Sequence, residues 1–340
     1  MTAQARLRAT VSTIPSPRLR RLRLALLICL VAVLAAGCRQ EGDAHDVLRP
    51  VDLALDFTPN PVHAPIFAAR RIGADRSNGI DLRIRNPGQG PDSLKLVLSG
   101  RVLIGVLDIH DLAIAQAKGV PVVGIGALVQ KPLAALLAQP GVRRPRDLAG
   151  RTVGVSGLPS DPAFLRAIVE QDGGDYAAIK QVTIGFEAVT ALLSRRVAAV
   201  PAFWNAEGVA LEQRGRPVRQ FRVESYGAPL YPEVVFIAAR SSLHRRSRDL
   251  QAAMRAVVAG VDEVSAHPER AVRELTRVSG AGDTALVTAQ LRAVAPLFRP
   301  AVRLNRAVLE RWADFDTRIG IVKRRPDVAR GFDLSVAGPG

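Results

Sequence analysis

The sequence contains few cysteines and few aromatic residues, and both shortages restrict its function. Only two cysteines occur in 340 residues, Cys29 and Cys38, too few for a disulfide framework or a thiolate metal site. Aromatic residues make up 4% of the chain, and no basic stripe is interleaved with them, which argues against nucleic acid as a partner. The five histidines are far apart in the chain and lack metal-ligand spacing. We therefore expect no metal site.

Motifs of the common catalytic classes are also absent. The chain has no GxSxG, no P-loop and no complete GxGxxG, since Gly124-Ile125-Gly126 lacks the third glycine. No two carboxylates stand in a motif typical of an acid–base pair. The sequence therefore predicts a protein with no catalytic residues and no cofactor.

The N-terminus has the pattern of an export signal. Residues 1–23 contain six arginines and no acid, and the apolar run from Leu24 to Ala36 follows. A basic segment, a short apolar segment and small residues together are typical of a secretory signal rather than of a membrane-spanning helix.

The signal ends in Ala36-Gly37-Cys38, which resembles the bacterial lipoprotein box, although Ala35 stands where leucine is usual. We predict a lipoprotein signal peptide over residues 1–37, lipidation at Cys38 and a tether over residues 38–49. The protein would then be exported and anchored to the membrane by lipid. Ordinary secretion with an incidental cysteine is the alternative.

The rest of the chain is basic and apolar enough to fold. Removing residues 1–37 lowers the formal charge from +16 to +10, and 48% of the chain is hydrophobic. Such a surface could bind an anionic membrane, where it would add to the weak anchoring by a lipid chain, or it could serve no specific partner.

Short apolar runs alternate with helical patterns from Val51 onward, which predicts mostly parallel sheets covered by helices. The alternation is interrupted at residues 139–145 and 226–232, and it becomes chiefly helical after Arg248. About 300 residues exceed one comfortable core. We predict an α/β protein with a cleft between two lobes, lobe 1 formed by residues 50–138 and 232–340 with a helical C-terminal return, and lobe 2 by residues 139–231.

The turn after the first predicted strand carries the most versatile chemistry. Asp56, Phe57, Asn60 and His63 provide a carboxylate, an aromatic face, an amide and an imidazole within eight residues. Ligands of open α/β sheets gather at such strand ends. These side chains would suit a flat, polar heteroaromatic ligand. Asn60 before Pro61 is also the pattern of a helix N-cap, which would by itself explain the asparagine.

Two further turns contribute candidates. Trp204 and Glu207 follow a predicted strand, so Glu207 could accept hydrogen bonds from an amidine-like edge while Trp204 stacks on the ring. Compensation of the helix dipole is the simpler explanation of Glu207. Ser160 could bind a hydroxyl or anionic group, or merely cap a helix. Tyr231 could form a further aromatic wall, or could be a core residue.

Together these motifs resemble the NMT1/THI5-like family of substrate-binding proteins of ABC importers. That resemblance implies the two-lobed type II periplasmic binding protein fold, a small heteroaromatic solute, and ABC permease and ATPase subunits as partners. The stretches that carry it are Asp56–His63, Leu94–Gly100, Gly119–Val122, Gly126–Val129, Asp147–Gly154, Phe203–Glu207 and Tyr226–Tyr231.

The resemblance also implies roles for individual residues. Members that bind thiamine pyrimidine precursors use positions matched here by Phe57, Asn60, His63 and Glu207, with Trp204 and Tyr231 as further stacking partners. The expected solute is a formyl-aminopyrimidine or hydroxymethylpyrimidine. Riboflavin and sulfonate, nitrate or taurine remain alternatives. A pyrimidine-precursor synthase is the alternative of another class, although those enzymes carry a cysteine-rich motif that this chain lacks.

Overall fold

The computed structural model describes residues 47–86, 92–280 and 282–338. The predicted signal peptide, most of the predicted tether and Cys38 lie outside the described residues and stay predictions. Residues Leu48–Gly340 form one compact unit. Among the described residues, no helix has both the length and the apolar character needed to cross a bilayer.

The first sheet has five strands, in the order β2 (Ile80–Arg85), β1 (Arg49–Ala54), β3 (Ile104–Asp108), β10 (Val234–Ala239) and β4 (Val122–Val129). Strand β1 pairs in parallel with β2 and β3, while β10 is antiparallel to β3 and β4.

The second sheet repeats this arrangement. Strand β6 pairs in parallel with β7 and β8, and β5 is antiparallel to β8 and β9. The order is β7 (Lys180–Thr183), β6 (Thr152–Val155), β8 (Ala199–Phe203), β5 (Ala134–Ala138) and β9 (Arg219–Arg222). Each sheet thus contains one antiparallel strand that enters from the other lobe, and the predicted α/β two-lobed fold is confirmed.

Helices cover the sheets and form most of the C-terminal region. The α-helices are Ala64–Arg71, Ala74–Ser77, Ser93–Leu98, Ile109–Ala117, Asp161–Gln171, Ala188–Leu193, Val209–Gln213, Ser242–Arg245, Ser247–Ala266, Pro268–Ser279, Thr284–Val294, Arg306–Arg318 and Val328–Gly331. Short 3-10 helices cover Pro61–His63, Pro145–Leu148, Val223–Tyr226 and Ala295–Phe298, and Trp204–Gly208 is a π-helical turn.

The strand Ala134–Ala138 places the first crossing between lobes earlier than predicted. It pairs with two strands of the second sheet, so the chain crosses at residues 130–133 rather than after residue 138. Its sequence of alanines and leucines has a stronger helical than strand propensity. Burial on both faces of the sheet overrides that local preference.

Candidate functional site

A cavity of about 140 Å³ lies where the carboxyl ends of parallel strands from both sheets face each other. Its walls come from the turns after β1 and β3 in the first sheet, and after β6, β7 and β8 in the second. Open α/β sheets bind ligands at this edge. Six of the eight sequence-predicted ligand residues line the cavity, namely Asp56, Phe57, Asn60, His63, Ser160 and Glu207.

The turn after β1 is fixed by hydrogen bonds among its own residues. The Asn60 side chain accepts from the backbone N–H of Val62 at 2.9 Å and donates to the Thr58 carbonyl at 3.1 Å. It therefore caps the 3-10 helix Pro61–His63, as the Asn-Pro pattern predicted.

His63 is fully buried and both of its ring nitrogens have protein partners. The backbone N–H of Asn60 donates to Nδ1 at 3.3 Å, so the ring proton is assigned to Nε2. That nitrogen then donates to Asp56 Oδ1 at 2.8 Å. His63 is thus a neutral side chain that positions the Asp56 carboxylate at the cavity.

An aromatic pair joins the two lobes at the cavity. The rings of Phe57, from the first lobe, and Phe186, from the second, have centroids 4.2 Å apart and planes tilted by 55°. Both rings line the cavity, so they form an apolar wall against which a flat ring can pack. Phe186 was not predicted, because it lies in an irregular segment without a recognisable motif.

Glu207 enters the cavity from the π-helical turn after β8. One of its carboxyl oxygens accepts from the backbone N–H of Phe203 at 3.0 Å. Burial raises the pKa of Glu207 above its ordinary value. The group is therefore more readily protonated than a carboxyl in water, and it can act as donor as well as acceptor.

Trp204 and Tyr231 are not among the residues that line the cavity. The Trp204 ring lies 4.0 Å from the guanidinium of Arg222, and its indole N–H donates to the Pro132 carbonyl. Tyr231 is fully buried and packs edge-on against His110. Both aromatics lie in the region where the chain crosses between lobes, whereas Phe57 and Phe186 are among the aromatic residues that line the cavity.

Ser160 is buried at the start of the helix Asp161–Gln171, and its side chain makes no capping hydrogen bond there. Its backbone N–H donates to Asp111 Oδ1 at 3.1 Å, which links the two lobes across the cavity. The neighbouring Asp161 accepts from Ser156, Gly157 and Leu158. Asp161 thus holds the turn that Ser160 follows.

A buried polar cluster at the cavity was not predicted from the sequence. Asp108 caps the helix Ile109–Ala117 by accepting from the His110 N–H at 2.7 Å. His110 Nδ1 lies 2.7 Å from Asp316 Oδ1, closer than the 3.4 Å to the Trp312 indole nitrogen, so we assign Asp316 as its partner. Glu233 joins the cluster from the second crossing.

Burial and mutual charge dominate the pKa values of this cluster. Burial raises the pKa of Asp108 to about 8, and the Glu233 charge adds to that shift. Burial opposes a charged His110, but Asp316, Asp108 and Glu233 outweigh it and raise the pKa of His110 to about 10. Burial, followed by the Asp108 charge, raises the pKa of Asp111 to about 8.

Glu233 also joins the two crossings. Its side chain accepts from the backbone N–H groups of Leu133 and Ala134, the latter at 3.0 Å. Its own backbone N–H donates to the Val129 carbonyl at 3.1 Å. Glu233 therefore connects the two crossing segments, which are the segments that a hinge motion between the lobes would bend.

The ionisable side chains that line the cavity are mostly acidic. Six carboxyl residues line the cavity, and among its described lining residues the only basic side chains are two histidines, with no lysine or arginine. Such a surface favours hydrogen-bond donors and cations over anions. The carboxyl residues are Asp56, Asp108, Asp111, Asp161, Glu207 and Glu233.

Solved structures place this architecture in a known class. The alkanesulfonate-binding protein of Xanthomonas axonopodis pv. citri, solved with bound MOPS, superposes with a TM-score of 0.67 over 83% of this chain and 97% of that one, at 18% identity. At that identity the likeness shows the fold alone. Together with a ligand-sized cavity between two sheets, it defines a two-lobed periplasmic binding protein fold.

Sequence comparison identifies the family within that class. The chain belongs to the NMT1/THI5-like family, whose model matches residues 60–271. A formylaminopyrimidine-binding protein of Halalkalibacterium halodurans is 31% identical over 255 residues, which is 74% of this chain and 77% of the relative. A 4-amino-5-hydroxymethyl-2-methylpyrimidine phosphate synthase of Uromyces fabae is 27% identical over 254 residues, which is 69% of this chain and 73% of the enzyme.

Proposed function

We infer that this protein is the extracytoplasmic substrate-binding component of an ABC importer that takes up a thiamine pyrimidine precursor. Formylaminopyrimidine is the first candidate and hydroxymethylpyrimidine the second. One observation carries the proposal above the others: a cavity of single-ring size has an aromatic wall and a carboxyl-rich lining without lysine or arginine among its described residues. The similarity to a formylaminopyrimidine-binding protein supports it.

The size of the cavity favours a one-ring solute. Its volume is about 140 Å³, and an apolar cavity of roughly 150 Å³ in another protein holds one benzene ring. Riboflavin has three fused rings and a polyol chain, and drug-sized ligands occupy sites of about 300–1,000 Å³. In this conformation the cavity fits a pyrimidine better than a flavin.

The charge of the lining opposes the anionic alternatives. A sulfonate or nitrate needs donors or positive charge, whereas this cavity presents six carboxyl groups. Placing an anion beside buried carboxylates costs free energy unless they are protonated. The fold that this chain shares with an alkanesulfonate-binding protein therefore does not carry that ligand with it.

An aminopyrimidine matches Glu207 through hydrogen bonding. The amino group of the aminopyrimidine donates a hydrogen bond, and the ring nitrogen next to it accepts one. A carboxyl group whose pKa is raised by burial can supply both complementary partners, accepting with one oxygen and donating from the other. Phe57 and Phe186 would pack on the ring, and Asp56, oriented by His63, would accept from a further donor.

A binding role also explains the site better than catalysis. Some relatives are named pyrimidine phosphate synthases. The synthases of this family carry a cysteine-rich motif, whereas both cysteines of this chain precede residue 39 and so cannot form such a motif in the folded lobes. A lipid anchor at Cys38 would hold the protein on the outward-facing side of the cell membrane, beside its permease and ATPase partners. Closure of the lobes around the solute would create the surface that the permease recognises.

The test is a calorimetric titration of the purified protein with formylaminopyrimidine, hydroxymethylpyrimidine, riboflavin and taurine. We expect one pyrimidine to bind at a 1:1 ratio and taurine not to bind. Tight binding of riboflavin or taurine in place of the pyrimidines would overturn the ligand assignment. Steady conversion of a bound pyrimidine into a product would overturn the transport role.

A further inference from the structure

Three side chains that are distant in the sequence meet at one side of the cavity. Asp108 ends β3, His110 lies in the first turn of the following helix, and Glu233 precedes β10. Each offers one ligand atom, and these atoms all lie within 4.8 Å of one another. All three residues line the cavity, so an ion can reach them from it.

Two atoms of this group are buried without a hydrogen-bond partner among the described residues. They are His110 Nε2 and Glu233 Oε1. His110 is 3% exposed and Glu233 is 0% exposed. Leaving a buried polar atom unpaired costs about 1–3 kcal/mol, so a ligand bound in the cavity would stabilise both atoms.

Asp316 sets His110 in the arrangement that metal-binding histidines use. The Asp316 carboxylate lies 2.7 Å from His110 Nδ1 and accepts the proton of that nitrogen. Because the pKa of His110 is raised to about 10, Nε2 carries a proton in the metal-free protein. A metal ion would displace that proton and bind the lone pair of Nε2, since metal ligands bind in the deprotonated form. A carboxylate behind a ligating histidine fixes its orientation and raises its basicity.

The geometry and charge fit one ion. Ligand atoms around a tetrahedral ion with bonds of about 2.0–2.2 Å lie roughly 3.3–3.6 Å apart. The three atoms lie within 4.8 Å of one another, so they would move together by up to about 1.5 Å on binding the ion. The carboxylates of Asp108, Glu233 and the nearby Asp111 surround a single imidazole. Metal ligands bind in the deprotonated form. A dication would balance the charge of these carboxylates in that form, since the described lining residues include no lysine or arginine.

We propose that Asp108, His110 and Glu233 bind a divalent transition-metal ion, with Zn²⁺ as the representative ion. One imidazole and two carboxylates suit such an ion better than Mg²⁺, which prefers oxygen ligands and retains water. The cavity leaves room for water or a solute atom in the remaining coordination position. This site does not depend on the identity of the solute.

The experiment uses the full-length protein, stripped of metal and titrated with ZnCl₂ by calorimetry in the absence of solute. We expect 1:1 binding, and we expect Asp108→Asn and Glu233→Gln each to weaken it at least tenfold. Both substitutions keep an oxygen that can accept the backbone hydrogen bonds these side chains make now. His244→Gln, at an exposed histidine away from the cavity, is the matched control and should bind as the parent does.

X-ray absorption of the zinc-loaded parent provides a readout that needs no variant. The proposed set predicts one imidazole nitrogen among otherwise oxygen ligands. Failure to bind Zn²⁺ at a 1:1 ratio would overturn the proposal, as would a spectrum with two or more imidazoles. Unchanged affinity in folded Asp108→Asn and Glu233→Gln proteins, or loss of binding in His244→Gln, would also overturn it.

Discussion

Replacing Glu207 by alanine is the most direct test of solute recognition. The carboxyl group lines the cavity, is held by the backbone N–H of Phe203, and has a pKa raised by burial. Alanine removes the group without filling its volume, so the polar edge of a bound aminopyrimidine loses its partner.

The expected loss follows from the energy of such a hydrogen bond. A neutral hydrogen bond contributes about 0.5–1.5 kcal/mol, so the two that a protonated Glu207 would make contribute about 1–3 kcal/mol. Each 1.4 kcal/mol changes an affinity about tenfold. We therefore expect Glu207→Ala to weaken pyrimidine binding by roughly ten- to a hundredfold. Glu207→Gln should lose less, because its amide still offers one donor and one acceptor.

Calorimetry at neutral pH would measure the dissociation constants, and thermal unfolding would check that each variant is folded. Glu212→Ala is the matched control, since Glu212 lies a few residues further along the chain, is exposed and does not line the cavity. An affinity of Glu207→Ala equal to that of the control would show that Glu207 makes no contact with the solute.

Three further changes probe other parts of the argument. Phe186→Ala removes the partner of Phe57 across the cavity and should weaken solute binding about two- to tenfold, since aromatic pairs contribute about 0.5–1.5 kcal/mol; calorimetry measures this. Gly260→Ala would place its Cβ 2.0 Å from the Pro65 carbonyl oxygen and should lower the free energy of unfolding by about 1–3 kcal/mol or more, measured with denaturant. Burial opposes the lowered pKa of Asp249, but hydrogen bonds from two arginines outweigh it. A lowered pKa stabilises the fold above the unfolded-state pKa of about 3.9. Thermal melts should therefore find Asp249→Asn less stable than the parent near neutral pH, with the difference shrinking as the pH falls from about 4 through the lower pKa of the folded state.

Matched substitutions separate these effects from general damage. Phe221→Ala changes an aromatic outside the cavity and should leave solute affinity unchanged. Gly141→Ala adds a Cβ where no atom lies within 4 Å, so a loss of stability equal to that of Gly260→Ala would contradict the packing argument. Asp262→Asn breaks an exposed ion pair and should have little effect at any pH. An Asp249→Asn difference that stays constant as the pH falls below about 4 would contradict the lowered pKa of Asp249.

Local patterns in the sequence were enough to predict most strands and helices. Within the predicted alternation, the apolar runs Val122–Val129 and Val234–Ala239 are strands in the structure, because continuous apolar runs between turn residues have few alternatives. The Asn60-Pro61 cap was equally readable, since capping depends on neighbouring residues alone. The strand Ala134–Ala138 was missed because its alanines and leucines favour a helix, and only pairing within the sheet makes it a strand.

Part of the candidate site could likewise be predicted from the sequence, and part could not. The turns that carry Asp56, Phe57 and Glu207 follow predicted strands, so their convergence at the cavity could be expected from the rule for open α/β sheets. Trp204 comes from such a turn too, but its ring packs against the Arg222 guanidinium and its indole N–H donates to the Pro132 carbonyl. The position of Trp204 in the sequence does not predict these contacts with other parts of the fold.

The sequence by itself thus determined the alternation of strands and helices, the two-lobed class and the turns that could carry a site, because these depend on local backbone preference and on the period of burial. Tertiary structure alone decided which side chains share the cavity. Strand order brings Asp108 beside Glu233, 125 residues later in the chain, and packing of the helix Arg306–Arg318 places Asp316 behind His110. These contacts depend on where the chain crosses between lobes, and no local pattern encodes that.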